Sequence, residues 1–197
     1  MAGQREAQKR RTRRLLIESG LRAFQGRGYA AATIDEIASG AGTTRTTFYL
    51  HFSSKTELMQ AVLVGLDKLV AKHDKVDLTG VVASGERHLI RGWLESRIDQ
   101  WPTVMPRLTA AFQAAAVEPV IDRDLETWFE LAITRIRDGL DAAGRFAPES
   151  RHGRGVLAFG QLEALSRRWA RRGWESTVER DVALEVLTDS WCALLAD

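Results

Sequence analysis

Apolar residues return at intervals of three and four along most of this chain, with polar residues filling the positions between them. From Lys9 to Gln25 the apolar positions are Leu16, Ile17, Leu21 and Phe24, the offsets of one helix face. The pattern stops at "GRGY", where Gly26 and Gly28 can take the positive φ of a helix end. Thr33 then opens "TIDE", a capping box in which the threonine hydroxyl accepts from the N–H of Glu36 while the glutamate reaches back. Ile34, Ile37, Ala38 and Ala41 face inward behind it, and Gly42 closes this short second helix. Between Gly42 and Ser54 there is room for about two or three helical turns, with Phe48 and Phe52 at i, i+4 as the buried side. Ser54 opens a second capping box, "SKTE", and Leu58, Val62, Leu66 and Leu69 carry a longer helix to about His73.

Beyond it, "DKVDLTGVVASGE" is polar and contains glycine, which predicts a loosely ordered connector. Leu89, Trp93, Leu94 and Ile98 mark another helix, and Pro102 and Pro119 stand where first-turn prolines start two more. The second of these carries Leu125, Trp128, Phe129, Ile133, Ile136 and Leu140 and stops near Gly144; Pro148 begins a helix through Trp169 that Gly173 can cap. Ser176 with Glu179 forms a third capping box ahead of Val178, Val182, Val186, Leu187, Trp191, Leu194 and Leu195. No stretch alternates with period two, so the pattern predicts an all-α fold of about nine helices.

Charge changes this picture by being local. Residues 1–60 hold ten Lys/Arg against five Asp/Glu, or +5, while the remainder carries −3, so the net +2 joins a basic end to a nearly neutral body. Such an end suits a polyanion. Arg10, Arg11, Arg13 and Arg14 can form an arm over residues 1–14 that touches phosphate or the minor groove, or they can simply be solvated. The single cysteine, Cys192, allows no intrachain disulfide and no thiolate cluster, and His73, His88 and His152 form no HxxxH or HExxH pair, so no metal and no cofactor is expected. There is no apolar run of about 18 residues and no signal-peptide core, which predicts a cytoplasmic protein without a membrane partner. With no GxSxG, P-loop or GxGxxG sequence and no constellation of carboxylates, no catalytic residue is assigned.

The chemistry concentrates in "ATIDEIASGAGTTRTTFYLHFSSKTEL", residues 32–58. With Phe48 and Phe52 buried, Arg45, Thr46 and Tyr49 must face outward, and Ala38 and Gly42 permit two helices to cross steeply through a tight turn. That is a helix-turn-helix, whose second helix enters the major groove N-terminal end foremost. Arg45 can reach guanine O6 and N7, and the threonines can meet thymine methyls or polar base edges. Tyr49, His51 and Lys55 lie where phosphates pass, and Thr33 at the start of the preceding helix offers a second phosphate contact.

"AGTTRTTFYLHFSSKTEL" resembles the end of the DNA-binding domain of the TetR (tetracycline-repressor) family, through Ala41, Gly42, Thr47, Tyr49, Phe52, Ser54, Lys55, Glu57 and Leu58; "GYAAATIDEIA" is similar to the family's second-helix entrance. The resemblance runs from Arg13 to about Leu63. It implies base contacts from Arg45, Thr46 and Thr47, and backbone contacts from Thr33, Thr44, Tyr49, His51 and Lys55. Thr46 replaces a common glycine, Leu50 and His51 replace a polar–aromatic pair, and Ser53 replaces a proline or charged residue, which bears on the operator sequence.

The same resemblance implies a DNA-binding domain over 1–53 and a ligand-sensing, dimerising helical domain over 54–197. The last two helices are the expected homodimer surface, their approach eased by Gly155, Ala158 and Gly160. Trp93, Trp101, Met105, Phe112, Trp128 and Phe129 are candidates to line a cavity for a bulky, largely apolar or aromatic small-molecule effector. The reading is a dimeric, ligand-responsive regulator, a repressor of a palindromic double-stranded DNA operator; the alternative is an architectural DNA-binding protein with no ligand.

Overall fold

Nine α-helices and no strand form among the described residues of the computed structural model, which are 2–73, 77–174 and 178–196. They are α1 (Ala2–Arg27), α2 (Ile34–Gly40), α3 (Arg45–Tyr49), α4 (Lys55–His73), α5 (Leu78–Ser84), α6 (Arg87–Ala115), α7 (Pro119–Ala143), α8 (Pro148–Arg172) and α9 (Arg180–Leu195). None is long and apolar enough to cross a membrane.

The number agrees with the sequence pattern, but the division differs in two places. The expected connector holds α5: Asp77 accepts from the Gly80 N–H at its start, Val81 and Val82 are buried, and Gly85 ends it at φ 67°. Gly139 of α7 makes room for it, since a Cβ there would stand 2.7 Å from the Thr79 carbonyl oxygen. Arg145 ties its end down by donating to the carbonyls of Val82 (2.7 Å) and Ala83 (2.9 Å).

Pro102 does not start a helix. It lies inside α6, as does Pro106 four residues on, so the carbonyls of Ile98 and Pro102 lack their usual helical donors. Burial of Ile98, Trp101, Val104, Met105 and Leu108 along the same stretch favours an unbroken helix against that cost of about 3 kcal/mol per interior proline. Two smaller boundaries also move. Of residues 1–14, read as an arm, 2–14 belong to α1, where Arg10 pairs with Glu6 and Arg14 with Glu18. Ser176, read as a helix cap, lies outside the described residues, and α9 begins at Arg180 after Glu179.

The chain divides into two compact units, Met1–Lys68 with Pro106–Leu125, and Leu69–Met105 with Glu126–Asp197. The first is built on Leu16, Phe24, Ile37, Phe48, Phe52 and Leu58, all buried. Gly20 lets α1 meet α4 closely, because a Cβ there would reach to 2.6 Å of a Leu58 methyl. In the second, α6 and α9 run antiparallel, pinned by Arg91–Glu185 at 2.7 Å and Asp99–Arg180 at 2.5 Å. Trp191 stacks on Trp93 and donates its indole N–H to the Ala158 carbonyl at 2.9 Å. Gly155 of α8 allows a close approach to α7 of the same chain, since a Cβ there would come to 3.1 Å of the Ile133 carbonyl oxygen, whereas a Cβ on Gly160 would meet nothing within 4 Å.

Candidate nucleic-acid interface

The turn between α2 and α3 is specified by its own residues. Thr33 accepts from the Glu36 N–H at 3.2 Å, and the Glu36 carboxylate accepts from the Thr33 N–H at 3.0 Å, completing the box. The Thr33 N–H and the Thr33 hydroxyl, both donating to this carboxylate, hold the Glu36 carboxyl below its ordinary value, with Arg27 adding to the effect. At the other end Gly42 sits at φ 67°, its N–H reaching the Ser39 carbonyl while Thr43 N–H reaches that of Ala38. This paired closure stops α2 and turns the chain. Ser19 of α1 fixes the corner by donating to the Ile37 carbonyl at 2.8 Å, and Gly40 leaves room for that hydroxyl.

Thr44 then caps α3, accepting from the Thr47 N–H at 3.2 Å, with the two threonine hydroxyls 3.1 Å apart. Phe48 is buried and lies 5.8 Å from Phe52, which pins the inner face. The outer face carries Arg45, Thr46, Tyr49 (46% exposed) and Leu50 (73% exposed). The sequence reading named Leu50 only as a departure from the family pattern and did not place it on this face, although the burial of Phe48 and Phe52 already leaves positions 49 and 50 outside. Arg45 is not a free cation: Nη1 donates to Asp35 of α2 at 2.9 Å and Nη2 to the Tyr49 hydroxyl at 3.4 Å, and both raise its pKa, Tyr49 first.

Around this face lie more basic groups. The Arg13 guanidinium stands 4.3 Å over the Phe52 ring. His51, half-buried, is held below its usual pKa by burial first and then by the charges of Lys9 and Arg13; its Nδ1 is enclosed without a hydrogen-bond partner among the described residues. Lys55 is placed otherwise than a phosphate ligand. Its ammonium donates to the carbonyls of Tyr29 (2.6 Å), Ala32 (3.1 Å) and Ala30 (3.2 Å) and sits 4.4 Å over the Tyr29 ring. A lysine has three N–H donors, and all three are used inside the protein. Tyr29 is itself a junction: its N–H donates to Gln113 Oε1 at 3.0 Å, and its hydroxyl, pushed up to about 12 mainly by burial, lies 3.2 Å from Glu118.

Residues 16–62 match the family model described as bacterial regulatory proteins, tetR family. Over that stretch the chain is similar to the family. An uncharacterized HTH-type transcriptional regulator of Pseudomonas putida, TtgW, is 43% identical to it over 63 residues, covering 32% of this chain and 47% of that protein. The chain spans less than half the length of the curated relatives it matches. The likeness in fold is wider. A crystal structure of a transcriptional regulator from Rhodococcus sp. covers 93% of this chain and 95% of its own with a TM-score of 0.72 at 18% identity. A complex of SmeT with triclosan covers 91% and 90%, with a TM-score of 0.63 at 16% identity.

Of the six residues considered for an effector cavity, five lie in the second compact unit and one, Phe112, in the first. Trp93 stacks on Trp191 (5.3 Å), Trp101 on Trp174 (5.3 Å) and against Trp169 (5.6 Å), and Trp128 meets Phe129 (5.3 Å), which meets Phe159 (5.8 Å). Met105 is buried in the same unit, whereas Phe112 belongs to the unit containing α1–α3.

Proposed function

We propose that the chain is a ligand-responsive repressor that binds a palindromic operator as a homodimer. The observation that carries this reading is the two-sidedness of α3: Phe48 is buried while Arg45, Thr46 and Tyr49 face solvent. Arg45, Thr46 and Thr47 read base edges, and Thr33, Thr44, Tyr49 and His51 meet the sugar–phosphate backbone. Lys55 holds the chain between α1 and α2 from inside. Residues 1–53 thus form the reading domain and 54–197 the sensing and dimerising one.

Twofold symmetry presents two copies of α3 to half-sites about 34–36 Å apart. The large apolar residues exposed on the last two helices, Val156, Leu157, Val182 and Val186, favour that pair as the homodimer surface. A largely apolar or aromatic effector spoils the spacing; near-complete release requires about 10⁴-fold preference for the non-binding conformation. The triclosan complex of the structural neighbour supports an aromatic effector.

Selection of bound sequences from a random DNA pool, followed by footprinting, tests the reading. The expected result is one palindromic motif with discrete protection. Graded coating without a motif would instead make the chain an architectural protein.

A further inference from the structure

Asp35 puts an exposed carboxylate beside the arginine assigned above to base reading, where the charge of DNA repels it. An exposed ion pair contributes little to folding, so stability alone does not account for the arrangement. The neighbouring carboxylate, Glu36, is engaged otherwise: it accepts from the N–H and hydroxyl of Thr33 and pairs with Arg27 at 3.1 Å. Asp35 instead reaches across to α3, where its Oδ2 accepts from Arg45 Nη1 at 2.9 Å. Its other oxygen, Oδ1, has no hydrogen-bond partner among the described residues. Arg45 is steadied from the far side by the Tyr49 hydroxyl, which takes Nη2 at 3.4 Å, and its remaining N–H groups are left for a base.

In the major groove only cytosine N4 and adenine N6 donate hydrogen bonds. An ionised carboxylate accepts and cannot donate, so the guanine and thymine edges repel it. The adenine amine lies between two acceptors, its own N7 and the O4 of its thymine, whereas the cytosine amine has an acceptor on one side only, the O6 of its guanine. Cytosine is therefore the base that an open carboxylate selects. The bonded atoms of Asp35 and Arg45 stand 2.9 Å apart, close to the spacing of about 3.4 Å between stacked base pairs. With the guanidinium on a guanine, the carboxylate meets the next pair.

We propose that Asp35 is a base-reading residue: while Arg45 takes guanine O6 and N7, Asp35 Oδ1 accepts from the N4 amine of a cytosine in the adjacent pair. Two helices, α2 and α3, thus specify two neighbouring G·C pairs through one ion pair. The inference rests on the reading of Arg45 above and adds a base contact from α2. Asp35 also lies in the first turn of α2, where a carboxylate suits the helix dipole, but that role acts on stability and leaves the choice of base alone.

The test selects bound sequences from a random DNA pool with the full wild-type chain and with Asp35→Ala, Asp35→Asn and Arg45→Ala, and follows the stability of each by urea unfolding. The wild-type motif is expected to hold a cytosine in the pair beside the one that Arg45→Ala relaxes. Asp35→Ala lowers the preference for that cytosine by about fivefold or more. Asp35→Asn moves the preference toward adenine, whose N6 and N7 an amide bonds together. A wild-type motif without that cytosine, or a preference for it unchanged in either Asp35 variant, overturns the proposal, whatever happens to stability. Relaxation confined to the Arg45 pair also overturns it and leaves Asp35 only aiming the guanidinium. The two readings fail separately. If Arg45→Ala changes no position, the base-reading role of α3 falls, and the cytosine contact with it; if Arg45→Ala relaxes one guanine pair while the Asp35 variants keep the motif, only the cytosine contact is lost.

Discussion

Arg45, the one arginine on α3, is held 2.9 Å from Asp35 of the preceding helix. Both side chains are exposed, so the pair contributes little to folding. Its consequence is for recognition: the carboxylate aims the guanidinium and at the same time adds a negative charge near the DNA backbone. Asp35→Asn should therefore raise affinity for random DNA while narrowing the gap between operator and random sequence. Fluorescence anisotropy against both duplexes measures this, and an unchanged ratio would remove Asp35 from the recognition site. Arg45→Ala should weaken operator binding by roughly ten- to a hundredfold and relax the choice at one base pair.

Lys55 distinguishes a clamp from a phosphate ligand. Lys55→Met leaves the carbonyls of Tyr29, Ala30 and Ala32 without their donor, and should cost about 1–3 kcal/mol of stability in denaturant unfolding. The dependence of operator affinity on salt should keep its slope. A slope reduced by about one unit with stability intact would restore the phosphate role.

Two carboxylates link the first compact unit to pH. Glu36 is held below its ordinary pKa by the N–H and hydroxyl of Thr33, and Glu57 by those of Ser53. Because the folded values lie below the unfolded ones, their stabilisation is present above the ordinary glutamate range of about 4.3 and is lost as pH falls through the lowered values. Unfolding by urea at a series of acidic pH values should show this loss. Glu36→Gln with Glu57→Gln should flatten the acid limb while leaving its position near neutrality less favourable than wild type.

The exposed apolar residues of the last two helices make a further test. Leu157 is 61% and Val186 63% exposed, so Leu157→Glu with Val186→Glu should leave the helical content unchanged. Sedimentation should report a monomer, and operator affinity should fall to that of a single half-site. A dimer that persists in the double variant would place the homodimer surface elsewhere.

The reading unit was legible because its signals are local. The "TIDE" box forms as its residues imply, Gly42 takes the positive φ, and Phe48 and Phe52 are buried at the spacing that set them inside. The "SKTE" box forms only in part. Ser54 accepts from the Glu57 N–H, but the glutamate turns to the N–H and hydroxyl of Ser53 instead of Ser54. That shift of one residue depends on the path by which the chain leaves Phe52, which the tetrapeptide does not encode.

What sequence alone determined are features made within about four residues: helix faces, caps, the turn between α2 and α3, and the outward position of Arg45. Tertiary structure decided what side chains do across long separations. Lys55 turns inward because three carbonyls more than twenty residues earlier converge on its ammonium. Residues 78–84 become a helix because α7 offers a glycine to pack against and Arg145 reaches its last carbonyls. Pro102 stays inside α6 because apolar burial on both sides of it outweighs the missing hydrogen bond. In each case a propensity read locally competes with partners that only the folded chain brings within reach, and the energy of those partners prevails.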